Sequence, residues 1–335
     1  INIVQLAKPL LSKKEITILL KTTLSDDLQI RAYQTKKKEA FKFLTEMIKA
    51  LQFPTNHLQN CCYLYQRFYL FNSVSSFPNM HYEVAITSLF MSMKTNDYIK
   101  KLNMVLTEAN KIRGLQVSTN EFNEQRSTIL KLERKFLEFQ SLDFRNFSSE
   151  DMVIKLLKFM TVPKHITFIT WSILNDSYLT ELFLQFPSHY IASIVHRLSV
   201  SIFNELHDAP VKETQLIDKL NKTEKLLKID SRMIFDGINE LLEYYLQNYE
   251  SSFLMPCLSE LKLECDPKHI INDVMLNIKI ELSDTITKKD TAATTPGTDK
   301  VDYNEDLFFK VRDYDIGKNG SIRFLYNKKN YVDEV

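Results

Sequence analysis

The chain of 335 residues, 44% hydrophobic and 11% aromatic, is long enough for one large or two ordinary domains with a sizeable core. Its 43 basic and 42 acidic residues leave a formal net charge of +1, which excludes a long-range field that would select nucleic acid, anionic lipid or acidic substrates. Only 5 glycines and 9 prolines occur, the mark of a mostly helical chain, and Gly114, Gly237, Gly297, Gly317 and Gly320 never fall at the spacing of a phosphate-cradling loop or a dinucleotide turn.

In chain order, Ser12-Lys13-Lys14-Glu15 has the form of a capping box and is followed by Ile16, Leu19 and Leu20, so a short leading helix is expected. From about Lys36 to Leu51 the apolar positions Ala40, Phe41, Leu44, Met47, Ile48 and Leu51 have helical spacing, and Pro54 ends the run. A helix over about 55–71 carries Leu58, Cys61, Cys62, Leu64, Tyr65 and Phe68. Residues 81–93, apolar on nearly every side, read as a helix surrounded by other helices. It closes on Lys94, and a lysine in that position ordinarily snorkels to water or offsets the helix dipole. Amphipathic stretches follow at about 99–110 and 120–140. After a turn at 143–148, with Ser148 or Ser149 as cap, a second half offers helices at about 150–161, 164–178, 188–204 and 232–248, with Pro163 and Pro187 as punctuation. Each half thus has about five short helices. Residues 251–286 read as a helical extension and 287–306 as a disordered linker with almost nothing apolar. In the tail, 307–335, Phe309 and Val311 and then Ile322, Phe324 and Tyr326 alternate with polar residues around Asn319-Gly320, the pattern of a small β-hairpin that must dock on something to be stable.

The chemistry of the common enzymes is missing from this pattern. The seven histidines, at 57, 81, 165, 189, 196, 207 and 269, never take HxxxH or HxH spacing, and no metal site, cofactor site or catalytic residue is assigned. His189 and His196 lie one heptad apart without a matching carboxylate and read as surface or satisfied core. Asp313, Asp315 and Asn319 lack the spacing of a calcium loop. Cys61, Cys62, Cys257 and Cys265 contain no CxxC pair and read as reduced core residues of an intracellular protein. Lys36-Lys37-Lys38, Lys100-Lys101 and Lys328-Lys329 are short and diluted by acids, as solvated helix faces or ends are. No apolar run reaches the roughly 18 residues that span a bilayer. The start INIVQLAKPL lacks the halves of a signal peptide, so a soluble protein of the cytoplasm or nucleus is expected.

Taken together, KKKEAFKFLTEMIKALQFP, CCYLYQRFYLFNSVSSFP, VAITSLFMSMKTNDYIKKLNMVLTEA and ILKLERKFLEFQSLDFR resemble the first repeat of a cyclin. The segment ITWSILNDSYLTELFLQFPSHYIASIVHRLSV resembles the second. The YQRFYLF segment, the loop with Phe77-Pro78 and the helix ending in a lysine before a KKL run are similar to the transcriptional cyclins of the T, K and L types. Among these, KPLLSKKEI and the FKFL before QFP are most like the cyclin subunits of fungal RNA polymerase II carboxy-terminal-domain kinases.

The resemblance implies an all-α fold of two tandem five-helix cyclin repeats, 36–147 and 148–250, after an N-terminal extension at 1–35. It also implies a non-catalytic subunit that binds and activates a cyclin-dependent kinase acting on RNA polymerase II in transcription elongation, in the nucleus and with the cytoplasm not set aside. A third subunit is compatible with it, a membrane is not, and nucleic acid is not an expected partner. The family's kinase contacts fall on Lys94 and Glu133, which hold backbone near the kinase αC helix, and on Leu137, Leu142 and Phe144 beside them. The acidic pair that usually follows the lysine is Asn96-Asp97 here, and no Trp marks the substrate-docking patch of the cell-cycle cyclins. The alternative reading is a general transcription factor of double cyclin fold that binds promoter DNA, against which the near-zero net charge argues.

Overall fold

The computed structural model describes residues 10–24, 27–77, 79–140, 148–207, 212–260 and, beyond them, 269, 271–274, 276, 277 and 280. Two compact units divide these residues, 10–140 and 148–280. Every regular element among them is a helix. The linker at 287–306 and the hairpin at 307–335 lie outside the described residues, as does the turn at 143–147.

The first unit opens with α1 (Lys13–Thr23), whose start is the expected capping box: Ser12 Oγ accepts the Glu15 N–H at 3.2 Å and the Glu15 carboxylate accepts the Ser12 N–H at 2.9 Å. Five helices follow: α2 (Asp27–Ala50), α3 (Asn56–Phe71), α4 (His81–Thr95), α5 (Leu102–Ile112) and α6 (Thr119–Gln140). Helix α2 starts nine residues before the expected Lys36. No Gly or Pro interrupts 27–35, and Tyr33 buries its ring against Tyr69 at 5.4 Å. Helix α4 is the hub. All of Val84 to Met93 is buried, and α4 packs against α2, α3, α5 and α6. Helix α3 is nearly as enclosed, with Cys61 and Cys62 in the core, where burial pushes both thiols up and keeps them protonated.

Phe68 of α3 stacks on Phe136 of α6 at 5.2 Å and meets Phe139 edge-on at 5.8 Å. Each such ring contributes roughly 1.5–3 kcal/mol by burial. Asn110 and Gln125 exchange side-chain hydrogen bonds at 2.9 and 3.2 Å, which fixes α5 against α6.

The second unit repeats the plan with α7 (Ser149–Met160), α8 (Lys164–Ser177), the one-turn α9 (Leu182–Gln185), α10 (Ser188–His207), α11 (Lys212–Leu226) and α12 (Ser231–Asn248). Ser148 caps α7 by accepting the Asp151 N–H at 3.2 Å. Here α10 is the hub, packed against α7, α8, α9, α11 and α12. Helix α11 is absent from the sequence reading because Leu216 and Leu220 are its main inward apolar residues among many charges. What seats it is polar: Glu224 pairs with Arg197 of α10 at 2.7 Å and accepts from Ser193 at 3.0 Å. Last comes α13 (Leu254–Glu260), packed against α8, and Cys257 on it is half-buried rather than a core residue.

Glycine ends α5, where Gly114 has φ 65°, but other helices of this glycine-poor chain end without it. Gln52, Asp97, Thr161 and Lys228 all take a left-handed φ, between 53° and 57°. In each case the next residue's N–H reaches back to the helix: Phe53 to the Ile48 carbonyl at 2.9 Å, Tyr98 to Met93 at 3.0 Å, Val162 to Leu157 at 3.1 Å and Ile229 to Glu224 at 2.9 Å.

Candidate functional site

That ending at Asp97 is what positions Lys94. The reach of Tyr98 N–H to Met93 stops α4 at Thr95 and leaves Lys94 in the last turn, where its charge offsets the negative end of the helix. Asn96 turns inward, donating from Nδ2 to the Ser92 carbonyl at 2.9 Å. Ser92 Oγ in turn meets His57 Nδ1 of α3 at 3.1 Å, and burial holds that imidazole below its ordinary pKa. At the position where the family's acid is usual, Asn96 therefore serves the helix end.

The Lys94 ammonium forms an ion pair with the Glu133 carboxylate of α6 and sits 4.4 Å from the Phe90 ring centroid. The two side chains are 41% and 18% exposed, so the pair is open on one side. Leu137, one turn beyond Glu133, is half-buried. Leu132 and Phe136 beside them point into the core and anchor that stretch of α6. Three of the five expected residues, Lys94, Glu133 and Leu137, are thus described. Leu142 and Phe144 lie outside the described residues.

The other side of Lys94 is a loop whose residues 99–101 the sequence pattern places in the helix at about 99–110, which begins only at Leu102. Tyr98 packs edge-on against Phe53 at 5.4 Å and His57 at 5.6 Å while remaining 44% exposed, and Ile99 is 73% exposed. Lys100 is not a solvated helix end. Its ammonium binds the Leu51 carbonyl at the end of α2 and lies 4.9 Å from the Phe53 ring centroid. The signal that could have found this cluster is the apolar pair Tyr98-Ile99 inside a polar loop.

Chemically, the pair has hydrogen-bonding capacity to spare. The lysine has three donors and the glutamate two oxygens, so each keeps capacity for a second chain's carbonyl or N–H after satisfying the other. An exposed rim of Tyr98 and Ile99 stands beside it. Among the described residues no three His, Cys, Asp or Glu side chains gather as metal ligands would.

No family model matches the chain. It is 26% identical over 251 residues to the CTD kinase subunit beta of Saccharomyces cerevisiae, covering 73% of this chain and 72% of that protein. It is 25% identical over 159 residues to the cyclin pch1 of Schizosaccharomyces pombe, covering 45% of this chain and 46% of that one. Among solved structures it matches a chain of the yeast RNA Pol II CTD kinase CTDK-1 complex with a TM-score of 0.64 and 25% identity, covering 79% of this chain and 88% of that one. These likenesses support a cyclin most like the CTD kinase beta subunits. It has the all-α tandem cyclin fold, with the hubs α4 and α10 at corresponding places in the two units. Lys94 and Glu133, 39 residues apart in sequence, are brought together in the first unit.

Proposed function

We propose that this cyclin is the regulatory subunit of a cyclin-dependent kinase that phosphorylates the C-terminal repeats of RNA polymerase II during transcription elongation. The observation that carries the reading is the likeness along most of both chains to the CTD kinase subunit beta of budding yeast, matched by the likeness to a chain of the CTDK-1 complex. On this reading the complex works in the nucleus, and the chain itself transfers no phosphate.

The mechanism is a population shift. A protein kinase is active when its strand-β3 lysine and αC glutamate pair, and αC is displaced in the free kinase. In our reading, Lys94 and Glu133 take carbonyls and N–H groups near the inward αC, and Leu137, Leu142 and Phe144 cover its apolar side. The rigid helices behind them bind the inward state better than the outward one. The shift is limited to that difference in affinity.

The test is reconstitution: the purified kinase subunit with and without this chain, acting on a peptide of polymerase repeats. A switch from mostly inactive to mostly active kinase predicts a stimulation of about 100-fold. Phosphotransfer by the chain alone, or no stimulation by a chain that co-purifies with the kinase, contradicts the reading.

A further inference from the structure

One turn to either side of Leu130, α6 carries Arg126 and Arg134 on its outer surface, with Lys131 next to them. Together with Asn123 and Ser127 these residues line a shallow open hollow. Leu130, at its centre, is 47% exposed, an apolar side chain ringed by three cations. Arg126 and Lys131 have no ion-pair partner among the described residues, and Arg134 pairs loosely with Glu138, at 3.7 Å. Of the four acids of α6, Glu121 closes the helix start by accepting from Ser118, Glu133 is held by Lys94 and Glu138 is shared with Lys135, while Glu124 lies outside the lining of the hollow. A solvated helix face ordinarily interleaves both signs. The lining of this hollow carries three cations and no acid, in a chain whose overall charge is nearly zero.

The stripe is continuous with the site described above. Leu130 and Leu137 are one heptad apart on α6 and share a face, with Glu133 between them at its edge. A kinase helix lying against Glu133 and Leu137 would run on over Leu130. We propose that the kinase-binding face extends along α6 through Leu130 to Arg126, and that it receives an acidic segment of the kinase, with carboxylates on Arg126, Lys131 and Arg134 and an apolar side chain over Leu130. This rests on the kinase-regulator reading. It adds a determinant of which kinase is accepted, because charge complementarity acts mainly on encounter rate and on the exclusion of wrong partners.

The experiment measures association and dissociation rates of the full chain with its kinase at low and high salt, for the wild type, the double variant Arg126→Glu/Arg134→Glu, and Lys94→Ala. The exposed arginines leave the fold intact on reversal, checked by an unchanged melting curve. The expected result is an association rate lowered by about tenfold at low salt in the double variant, with the salt dependence flattened. Leu130→Ala should act on dissociation instead. Unchanged rates and salt dependence in the double variant, with binding weakened by Lys94→Ala, overturn this inference and spare the kinase-regulator reading. Failure of the wild-type chain to bind the kinase overturns both. A labelled single-stranded RNA that binds the wild type and not the double variant, with kinase association unaffected, would assign the stripe to nucleic acid and overturn the inference as well.

Discussion

The Asp176 carboxylate and the Tyr245 hydroxyl, 69 positions apart in the chain, meet at 3.0 Å in the core of the second unit. The same carboxylate accepts the backbone N–H groups of Phe253 at 2.7 Å and Leu254 at 2.9 Å, at the start of α13. One fully buried acid on α8 thereby fastens α13 to the unit. Asp176→Ala leaves three donors without an acceptor, at about 1–3 kcal/mol for each one that stays buried. The expected outcome is a loss of at least about 3 kcal/mol in chemical denaturation of the second repeat, with α13 released to proteolysis. A loss below about 1 kcal/mol would mean that α13 is held otherwise.

The pH dependence of stability follows from two buried groups in this unit that pull in opposite directions. Burial raises the Asp176 pKa to about 7 against the three donors that favour its anion, so the native state binds this proton more tightly than the unfolded chain does. Its contribution is fully present below about 4 and is lost as pH rises towards 7. His196, fully buried and without a hydrogen-bond partner for either ring nitrogen among the described residues, is lowered to about 4, first by burial and then by the neighbouring Arg197. Its contribution is present above about 6.5 and is lost as pH falls through 4. The two slopes largely cancel between about pH 4 and 6.5. In Asp176→Asn only the histidine remains, so stability of that variant should rise with pH across this window, read from melting temperatures. A falling profile in the variant would contradict the assignment.

Gly237 lies on α12 where a β-carbon would come within 2.4 Å of Ile194 Cδ1, 3.0 Å of Ile194 Cγ1 and 3.4 Å of Leu182 Cδ2. Gly237→Ala gains about 1 kcal/mol of helix propensity and loses about 1–3 kcal/mol to overpacking against two fully buried side chains. The variant should therefore be less stable by about 1 kcal/mol in urea titration. A more stable variant would show that Ile194 has room to turn away.

The parts of this molecule that could be read in its sequence are those fixed by local pattern. The apolar run of α4 reads as a central helix because burial on every side leaves no polar face, and the box at Ser12 reads as a helix start because two residues three apart, Ser12 and Glu15, make it. Helix ends were harder, since Gln52, Asp97, Thr161 and Lys228 adopt the backbone conformation that glycine usually marks. Helix α11 was missed because its anchor is the Arg197–Glu224 pair, and polar anchoring leaves no apolar period to find. The partner of Lys94 is invisible locally. Only the family resemblance pointed to Glu133, which the fold brings within ion-pair reach from 39 residues away.

The central claim concerns that pair, and calorimetric titration of Lys94→Ala with the kinase subunit tests it most directly. Because the pair is open to solvent on one side, its loss should cost the free cyclin no more than about 1 kcal/mol of stability. Desolvated against kinase backbone, the same lysine should be worth roughly 2–5 kcal/mol of binding, so the Kd should rise by at least about 30-fold with the melting temperature nearly unchanged. A Kd equal to that of the wild type would contradict the account and leave Lys94 as the ordinary closing residue of a buried helix.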